Sequence, residues 1–238
     1  MIPWEKDILY QYCFRPLLLF SMLFCIALYS GIALAHQPRI ADSKQKIVIE
    51  KPEISKAYYG ELKGRPDIYV VNSGNKFTLY TEILVPDIPG VKKDKSVKIE
   101  RVEGEARRAI ANLSAEAFPW QPYHEKFAGD DYFKGPFLKT SAEPGRYIIT
   151  VSSPENIGKY TFVIGEKESF TPREIVRMLG TLPMIKKDFF HKSPVSAFTN
   201  LIGLFLFLSL AVFIFLTWLV VFLIKRIGKA GRIKNSRG

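Results

Sequence analysis

Two long apolar segments without a charged residue constrain this chain more than any other feature of its sequence. They cover residues 16–35 near the start and residues 201–224 near the end. At about 1.5 Å per residue, the second segment would form a helix roughly 36 Å long, which exceeds the ~30 Å hydrocarbon core of a bilayer. We therefore predict a transmembrane helix over residues 199–224.

The residues that follow this segment, 225–238, carry bases and no acid, and they supply six of the net charge of +11. Short basic flanks mark the cytoplasmic side of a membrane span, and anionic headgroups attract each base by about 1 kcal/mol. Because over half of the excess charge adjoins a membrane span, the charge does not indicate nucleic-acid binding. The bases predicted to face the lipid surface are Lys225, Arg226, Lys229 and Arg232.

Residues 1–35 are interpreted as a cleaved signal peptide or as an uncleaved signal anchor. Gly31 interrupts the apolar segment, and the small residues Ala33 and Ala35 stand at positions −3 and −1 of a cleavage site before His36. Both alternatives place the following residues outside the cytoplasm and the basic tail inside it. The sequence thus predicts a single-pass protein of the cell membrane.

The exported region has the pattern of an antiparallel β domain. Residues 36–56 are read as a loose, mostly polar lead-in in which only residues 47–49 could form a short strand. Residues 57–166 alternate apolar and polar side chains between turn residues. Both cysteines lie before this region, so it folds without disulfides. The clearest strand covers residues 77–85, and the residues predicted to face the core are Phe77, Leu79, Thr81, Ile83 and Val85.

Two later segments share the order glycine, base, tyrosine and then strand-forming residues. They are residues 145–151 and 158–164, and the short connection 152–157 suits a hairpin within one sheet. The residues predicted to face inward are Tyr147, Ile149, Val151, Tyr160, Phe162 and Ile164.

These segments carry a resemblance to known domains. Residues 143–147 (Glu-Pro-Gly-Arg-Tyr) and 156–160 (Asn-Ile-Gly-Lys-Tyr) resemble the turn-to-strand signature of extracytoplasmic β-sandwiches of the immunoglobulin, CUB, GOLD and bacterial pre-peptidase C-terminal kinds. Residues 59–69 are similar to the start of pre-peptidase C-terminal domains, which resemble jelly rolls. The resemblance implies a jelly-roll or immunoglobulin-like sandwich over residues 57–166 that serves as a binding or accessory module. The cysteine pair of immunoglobulins is absent.

A helical connector is predicted over residues 167–198. Residues 171–174 (Thr-Pro-Arg-Glu) supply an N-cap, a proline in the first turn and a capping-box glutamate, and Gly180 is predicted to end the helix. Two placements stay open for this connector. It caps the open end of the sandwich, or it is an interfacial element that seats Phe189 and Phe190 at the outer lipid surface.

Residues 118–137 form the most distinctive stretch of the exported region, because aromatics, prolines and glycines crowd it without a period. A loop of that length is functional or is held by its own side chains. One interpretation is that its aromatics close the end of the core. The other is a recognition surface, since Trp and Tyr are typical of binding hot spots, and its predicted partner-binding residues are Phe118, Trp120, Tyr123, Tyr132 and Phe133.

The same stretch carries the residues considered for a metal. Glu125, Asp130 and Asp131 offer the oxygen ligands that calcium prefers, and no other cofactor is predicted. The histidines are far apart and no nucleophile elbow or phosphate loop is present, which argues against an enzyme. An alternative is a membrane-anchored hydrolase that uses His124 with these three carboxylates.

Together these features predict a non-catalytic membrane protein that displays a mainly β domain outside the cytoplasm. Its expected partners are the membrane and another membrane or envelope protein or component. The remaining alternatives are the hydrolase and a structural or accessory subunit of a membrane complex.

Overall fold

A computed structural model describes residues 36–42, 46–169 and 171–235. They divide into a β-rich domain that ends at Asn200 and a helix that begins at Leu201. The signal peptide or anchor, including Ala33 and Ala35, lies outside the described residues. So do the side chains of the tail bases, Lys225, Arg226, Lys229 and Arg232.

Eleven strands in the described residues form two sheets. The strands are β1 (Gln37–Ile40), β2 (Ile47–Ile49), β3 (Lys56–Lys63), β4 (Asp67–Ser73), β5 (Phe77–Pro86), β6 (Ser96–Glu103), β7 (Ala106–Leu113), β8 (Gln121–Glu125), β9 (Asp130–Ala142), β10 (Gly145–Ser152) and β11 (Ile157–Ile164). The six-stranded sheet has the order β1-β3-β11-β5-β9-β8, and the five-stranded sheet has the order β2-β4-β10-β6-β7. Apart from the parallel pairs β1–β3 and β2–β4, the pairings are antiparallel. The mainly β sandwich is as predicted.

The hydrophobic core lies between the two sheets. The inward face predicted for residues 77–85 is confirmed, because its five side chains are at most 4% exposed. The inward faces of β10 and β11 are confirmed as well. At the start of β10, the Tyr147 hydroxyl donates to the carbonyl oxygen of Glu143 at 2.7 Å, which ties the turn to the strand.

The hairpin predicted for residues 145–164 is wrong. β10 pairs with β4 and β6 in the five-stranded sheet, whereas β11 pairs with β3 and β5 in the six-stranded sheet. The connection between them, in which Asn156 and Gly158 have positive φ, therefore crosses from one sheet to the other. A period of two fixes which side chains face the core, but it does not fix the neighbouring strand.

Residues 36–56, predicted as a loose lead-in, are instead part of the sandwich. It supplies an edge strand to each sheet, because β1 lies beside β3 and β2 lies beside β4. At the start of β3, the buried Lys56 ammonium donates to the carbonyl oxygens of Glu50 and Lys51 in the segment that follows β2, at 2.7 and 2.9 Å. Burial and the nearby Arg39 lower the pKa of Lys56 to about 8.

The connector contains helix α1 (Pro172–Met184), a π-helical turn (Ile185–Phe189) and a 3-10 turn (Pro194–Ala197). Its predicted start is confirmed, since the Thr171 hydroxyl accepts from the backbone N–H of Glu174 at 3.3 Å. Its predicted end at Gly180 is wrong, and the helix continues through Pro183. Gly180 does not have the positive φ of a terminating glycine.

The connector packs on the outer face of the six-stranded sheet. Ile185, Phe189 and Phe190 form a second apolar cluster with side chains of β3, β5, β9 and β11. Phe189 and Phe190 are 7% and 4% exposed, so they do not reach a lipid surface. Neither predicted placement holds, because the connector packs on the outer sheet face, where both phenylalanines are buried, and not on the end of the sandwich.

Substituting Gly180 with alanine is expected to stabilise the domain by about 0.5–1 kcal/mol, since glycine is unfavourable in a helix interior. An added Cβ at this position meets no atom within 4 Å. Thermal unfolding of the purified full chain should show a melting temperature raised by roughly 1–4 °C. Gly104 is the matched control, because its surroundings are equally open but its φ is +64°, so Gly104→Ala should lower the melting temperature. A decrease for both variants would contradict this account.

Helix α2 (Leu201–Asn235) follows the domain directly. Among the described helices it alone is long and apolar enough to cross a membrane, over Leu201–Leu223. The hydroxyls of Ser209 and Thr217 donate to carbonyl oxygens one turn earlier, each at 2.8 Å. Neither hydroxyl therefore needs water as a partner.

Candidate functional site

The aromatic stretch, predicted as a loop, is mostly an antiparallel hairpin of β8 and β9 at the edge of the six-stranded sheet. Its turn is held by the Glu125 carboxylate, which accepts from the backbone N–H groups of Phe127 and Ala128 at 2.9 and 2.6 Å. Gly129 completes the turn with a φ of +68°. Sequence analysis did not predict these strands because prolines and glycines interrupt the alternation of apolar and polar side chains.

The hairpin does not bring the five predicted partner-binding residues to one surface. Tyr132 is buried beneath the connector, with its ring 5.3 Å from that of Phe190, and burial raises the pKa of its hydroxyl well above the usual value. Phe133 lies under the Lys93 ammonium, 3.5 Å from the ring centre. Only Phe118 lines a cleft on the outer sheet face. Trp120 and Tyr123 lie beside that cleft, against its lining residues Gly135 and Lys134 respectively.

This cleft, called the hairpin cleft below, has a volume of about 370 Å³. It lies on the part of the outer sheet face that is not covered by the connector cluster. Phe118 and Phe137 form its apolar wall, with ring centres 6.3 Å apart and planes at 63°, and Phe137 is 54% exposed. The principal lining side chains are Tyr80, Glu82, Phe118, Gln121, Lys134 and Phe137.

An ion pair with one buried member lies in the hairpin cleft. The Glu82 carboxylate, whose side chain is 8% exposed, lies 3.3 Å from the Lys134 ammonium and accepts from the Tyr80 hydroxyl at 3.1 Å. Burial and the Glu82 charge raise the pKa of Tyr80, so the phenol stays protonated as a donor. The Lys134 ammonium also lies 4.0 Å from the centre of the Tyr123 ring. The pair therefore adds no net charge to the cleft.

Gly135 also lines the cleft. A Cβ at this position would lie 2.5 Å from the Trp120 ring, so only glycine allows the indole to pack here. The Trp120 indole N–H donates to the carbonyl oxygen of Ala115 at 3.2 Å, which fixes the ring. Trp120 thus packs behind the cleft, between Gly135 and the core cluster.

Sequence analysis missed most residues of the hairpin cleft. Tyr80 and Glu82 lie on the polar face of the clearest strand, where polar side chains are expected in any half-buried sheet. Phe137 was within the aromatic stretch but was not singled out. A signal was available in the spacing of Tyr80 and Glu82, since residues two apart on a strand share a face.

A second polar cluster joins the hairpin to the connector. The Asp130 carboxylate is 2% exposed and receives the ammonium groups of Lys186 at 2.7 Å and Lys192 at 3.1 Å. Lys186 also donates to the carbonyl oxygen of Ala128 at 2.6 Å, and the Asn200 amide donates to the same oxygen at 2.8 Å. The hairpin is therefore tied to the last residue before α2.

The structure does not assemble the predicted calcium ligands into a site. Asp130 and Asp131 are consecutive in a strand and point to opposite faces, so that Asp131 pairs with the His124 ring at 2.7 Å while Asp130 binds lysines. Glu125 is engaged with backbone N–H groups. Across the described ranges, no group of three or more His, Cys, Asp or Glu side chains is placed to hold a metal ion. The same separation leaves the four hydrolase candidates without a shared centre.

Millimolar calcium is therefore expected to leave the melting temperature and the Trp120 emission unchanged. With Trp4 and Trp218 replaced by phenylalanine, Trp120 is the sole tryptophan of the chain. Ligand at 100 times its dissociation constant would stabilise the fold by about 2.7 kcal/mol, equivalent to roughly 5–10 °C. A rise of that size, absent when Asp131 is changed to asparagine, would restore calcium as a ligand.

Comparison with known proteins identifies no family. No family model matches the chain, and no curated protein does either. Among solved structures, the chain is similar to the pre-peptidase C-terminal domain of a collagenase from Bacillus anthracis, at 14% identity over 55% of this chain and 95% of that chain, with a TM-score of 0.30.

Two further similarities are more distant. A β-glucosidase from Paenibacillus barengoltzii matches at 9% identity over 54% of this chain and 13% of its own, with a TM-score of 0.21. CorA, a surface-associated copper-binding protein of Methylomicrobium album BG8, matches at 13% identity over 54% of this chain and 82% of its own, with a TM-score of 0.18. Its own strand pairings and the composition of α2 define the chain as a mainly antiparallel β-sandwich followed by a helix long and apolar enough to cross a membrane.

Proposed function

We propose that this protein is a single-pass membrane protein that displays its sandwich outside the cytoplasm and binds another membrane or envelope component there, without catalysing a reaction. The hairpin cleft is the observation that carries the proposal. It combines an exposed aromatic wall with the Glu82–Lys134 ion pair, and such a combination of apolar surface and few placed polar groups is typical of ligand sites.

The membrane part of the proposal rests on α2 and its flanks. Leu201–Leu223 has the length and composition of a span, and the bases of residues 225–238 favour a cytoplasmic end. A cleaved or retained segment over residues 1–35 would direct the domain outside. In this arrangement the basic tail lies against the anionic inner surface.

Binding is favoured over a purely structural role because the cleft is maintained at a stability disadvantage. The Glu82 carboxylate is only 8% exposed, and removing a charged group from water is unfavourable, even though its partner Lys134 stays 37% exposed. An exposed Phe137 next to it adds apolar surface in contact with water. A domain that only spaced or braced a complex would have no use for these two features together.

Photocrosslinking from the cleft tests this function in intact cells. Gln121, exposed at the cleft, is replaced by p-benzoylphenylalanine, and the exposed Ile157 outside the cleft serves as the control position. We expect a discrete crosslinked product from position 121 and none from position 157. Phe137→Ala should abolish the product. Equal products from both positions, or a product that survives Phe137→Ala, would contradict binding at the cleft.

A further inference from the structure

The charge balance of the hairpin cleft limits what it can bind. The Glu82 carboxylate and the Lys134 ammonium, 3.3 Å apart, neutralise each other. A cationic ligand near Glu82 would approach Lys134, and an anionic ligand near Lys134 would approach Glu82. The cleft therefore favours a neutral ligand.

The polar groups of the cleft exclude a ligand that is apolar throughout. Such a ligand would strip water from Glu82, Lys134 and Gln121 without replacing the lost hydrogen bonds, which is unfavourable for each polar group that it desolvates. The Tyr80 hydroxyl binds one carboxylate oxygen of Glu82 and the Lys134 ammonium binds the other. A carboxylate accepts about four hydrogen bonds. The ligand must therefore bring hydroxyl or N–H donors.

The aromatic wall requires an apolar face on the same ligand. The Phe118 and Phe137 rings, inclined at 63° to each other, both line the cleft, and Phe137 is 54% exposed. A pyranose ring combines the two properties, because its axial C–H groups form an apolar face and its hydroxyls lie around the rim.

We propose that the hairpin cleft binds a neutral pyranose saccharide, which specifies the ligand class of the binding function proposed above and depends on it. One ring face stacks on Phe137 beside Phe118. The rim hydroxyls donate to the Glu82 carboxylate and exchange hydrogen bonds with the Gln121 amide and the Lys134 ammonium. Trp120, packed behind Gly135, reports on occupancy through its emission.

The test uses the full chain with Trp4→Phe and Trp218→Phe in an amphipathic polymer, because sugar-based detergents would compete for the cleft. The probes are chitotriose, cellotriose, maltotriose and mannotriose, titrated to about 10 mM. We expect saturable quenching or shift of Trp120 emission with at least one of them. Phe137→Ala and Glu82→Gln should each weaken that binding about tenfold or more, whereas Ile157→Ala should leave it unchanged.

The outcomes separate this inference from the function on which it rests. If no trisaccharide binds, or if binding persists unchanged in Phe137→Ala, the saccharide is excluded. The Glu82→Gln variant leaves Lys134 without its carboxylate partner and can unfold the region. If this variant unfolds, the binding measured for Phe137→Ala decides. If crosslinking from position 121 succeeds while all four probes fail, binding at the cleft stands with another class of ligand, such as a peptide. If both fail, neither proposal stands.

Discussion

Replacing Asp130 with alanine is expected to lower the melting temperature of the domain by roughly 6–20 °C. The change leaves the Lys186 ammonium, 2% exposed, without its carboxylate partner. Breaking a buried ion pair in this way costs about 3–5 kcal/mol, and each kcal/mol shifts the melting temperature of a domain of this size by roughly 2–4 °C. Thermal unfolding of the purified full chain measures the effect.

Asp131 is the matched control for this prediction. It is the neighbouring residue in β9, carries the same charge and pairs with an exposed histidine. Asp131→Ala should change stability by no more than about 0.5 kcal/mol. The combination Asp130→Leu with Lys186→Met should regain most of the lost stability, because an apolar pair avoids the unpaired charge. Equal effects of Asp130→Ala and Asp131→Ala would show that the buried pair does not hold the connector.

Gly60→Ala is expected to destabilise the domain by about 3 kcal/mol or more, at the upper end of overpacking effects. A Cβ on Gly60 would lie 2.6 Å from the hydroxyl oxygen of Tyr160. That tyrosine is fully buried, donates to the Asp67 carboxylate and lies 2.8 Å from the Tyr69 hydroxyl. The ring can move only by giving up these hydrogen bonds. Chemical denaturation of the variant measures the loss.

Gly74→Ala provides the comparison, because its Cβ would meet no atom within 4 Å and its φ is not positive. It should unfold at nearly the same denaturant concentration as the parent protein. If Gly60→Ala also unfolds there, Tyr160 is not confined as described.

The inward faces of the strands could be predicted from sequence because alternation is a local property. Phe77 to Val85 and the tyrosine strands β10 and β11 bury the predicted side chains. Strand neighbours depend on contacts distant in sequence, so the crossing between β10 and β11 was not accessible. Residues 103–117 show the same limit, since their alanine and glutamate content favours a helix and yet Ala106–Leu113 pairs with β6 as a strand.

The candidate site could be predicted only in part. The aromatic stretch correctly directed attention to residues 118–137, and Phe118 lines the hairpin cleft. Tyr80 and Glu82 come from a strand some forty residues earlier, and only the pairing of β5 with β9 brings them together. Asp130 was predicted as a metal ligand because its actual partners could not be predicted. These are two lysines of the connector, far away in sequence.

The orientation of the chain in the membrane is the most direct test of the account, because a binding domain displayed outside requires it. A reporter active only in the cytoplasm is fused after Gly238, and a reporter active only outside is inserted in the turn at Gly74, next to Asn72. We expect both fusions to be active, and the same two reporters exchanged between the positions to be inactive. Activity of the external reporter after Gly238 would contradict the account.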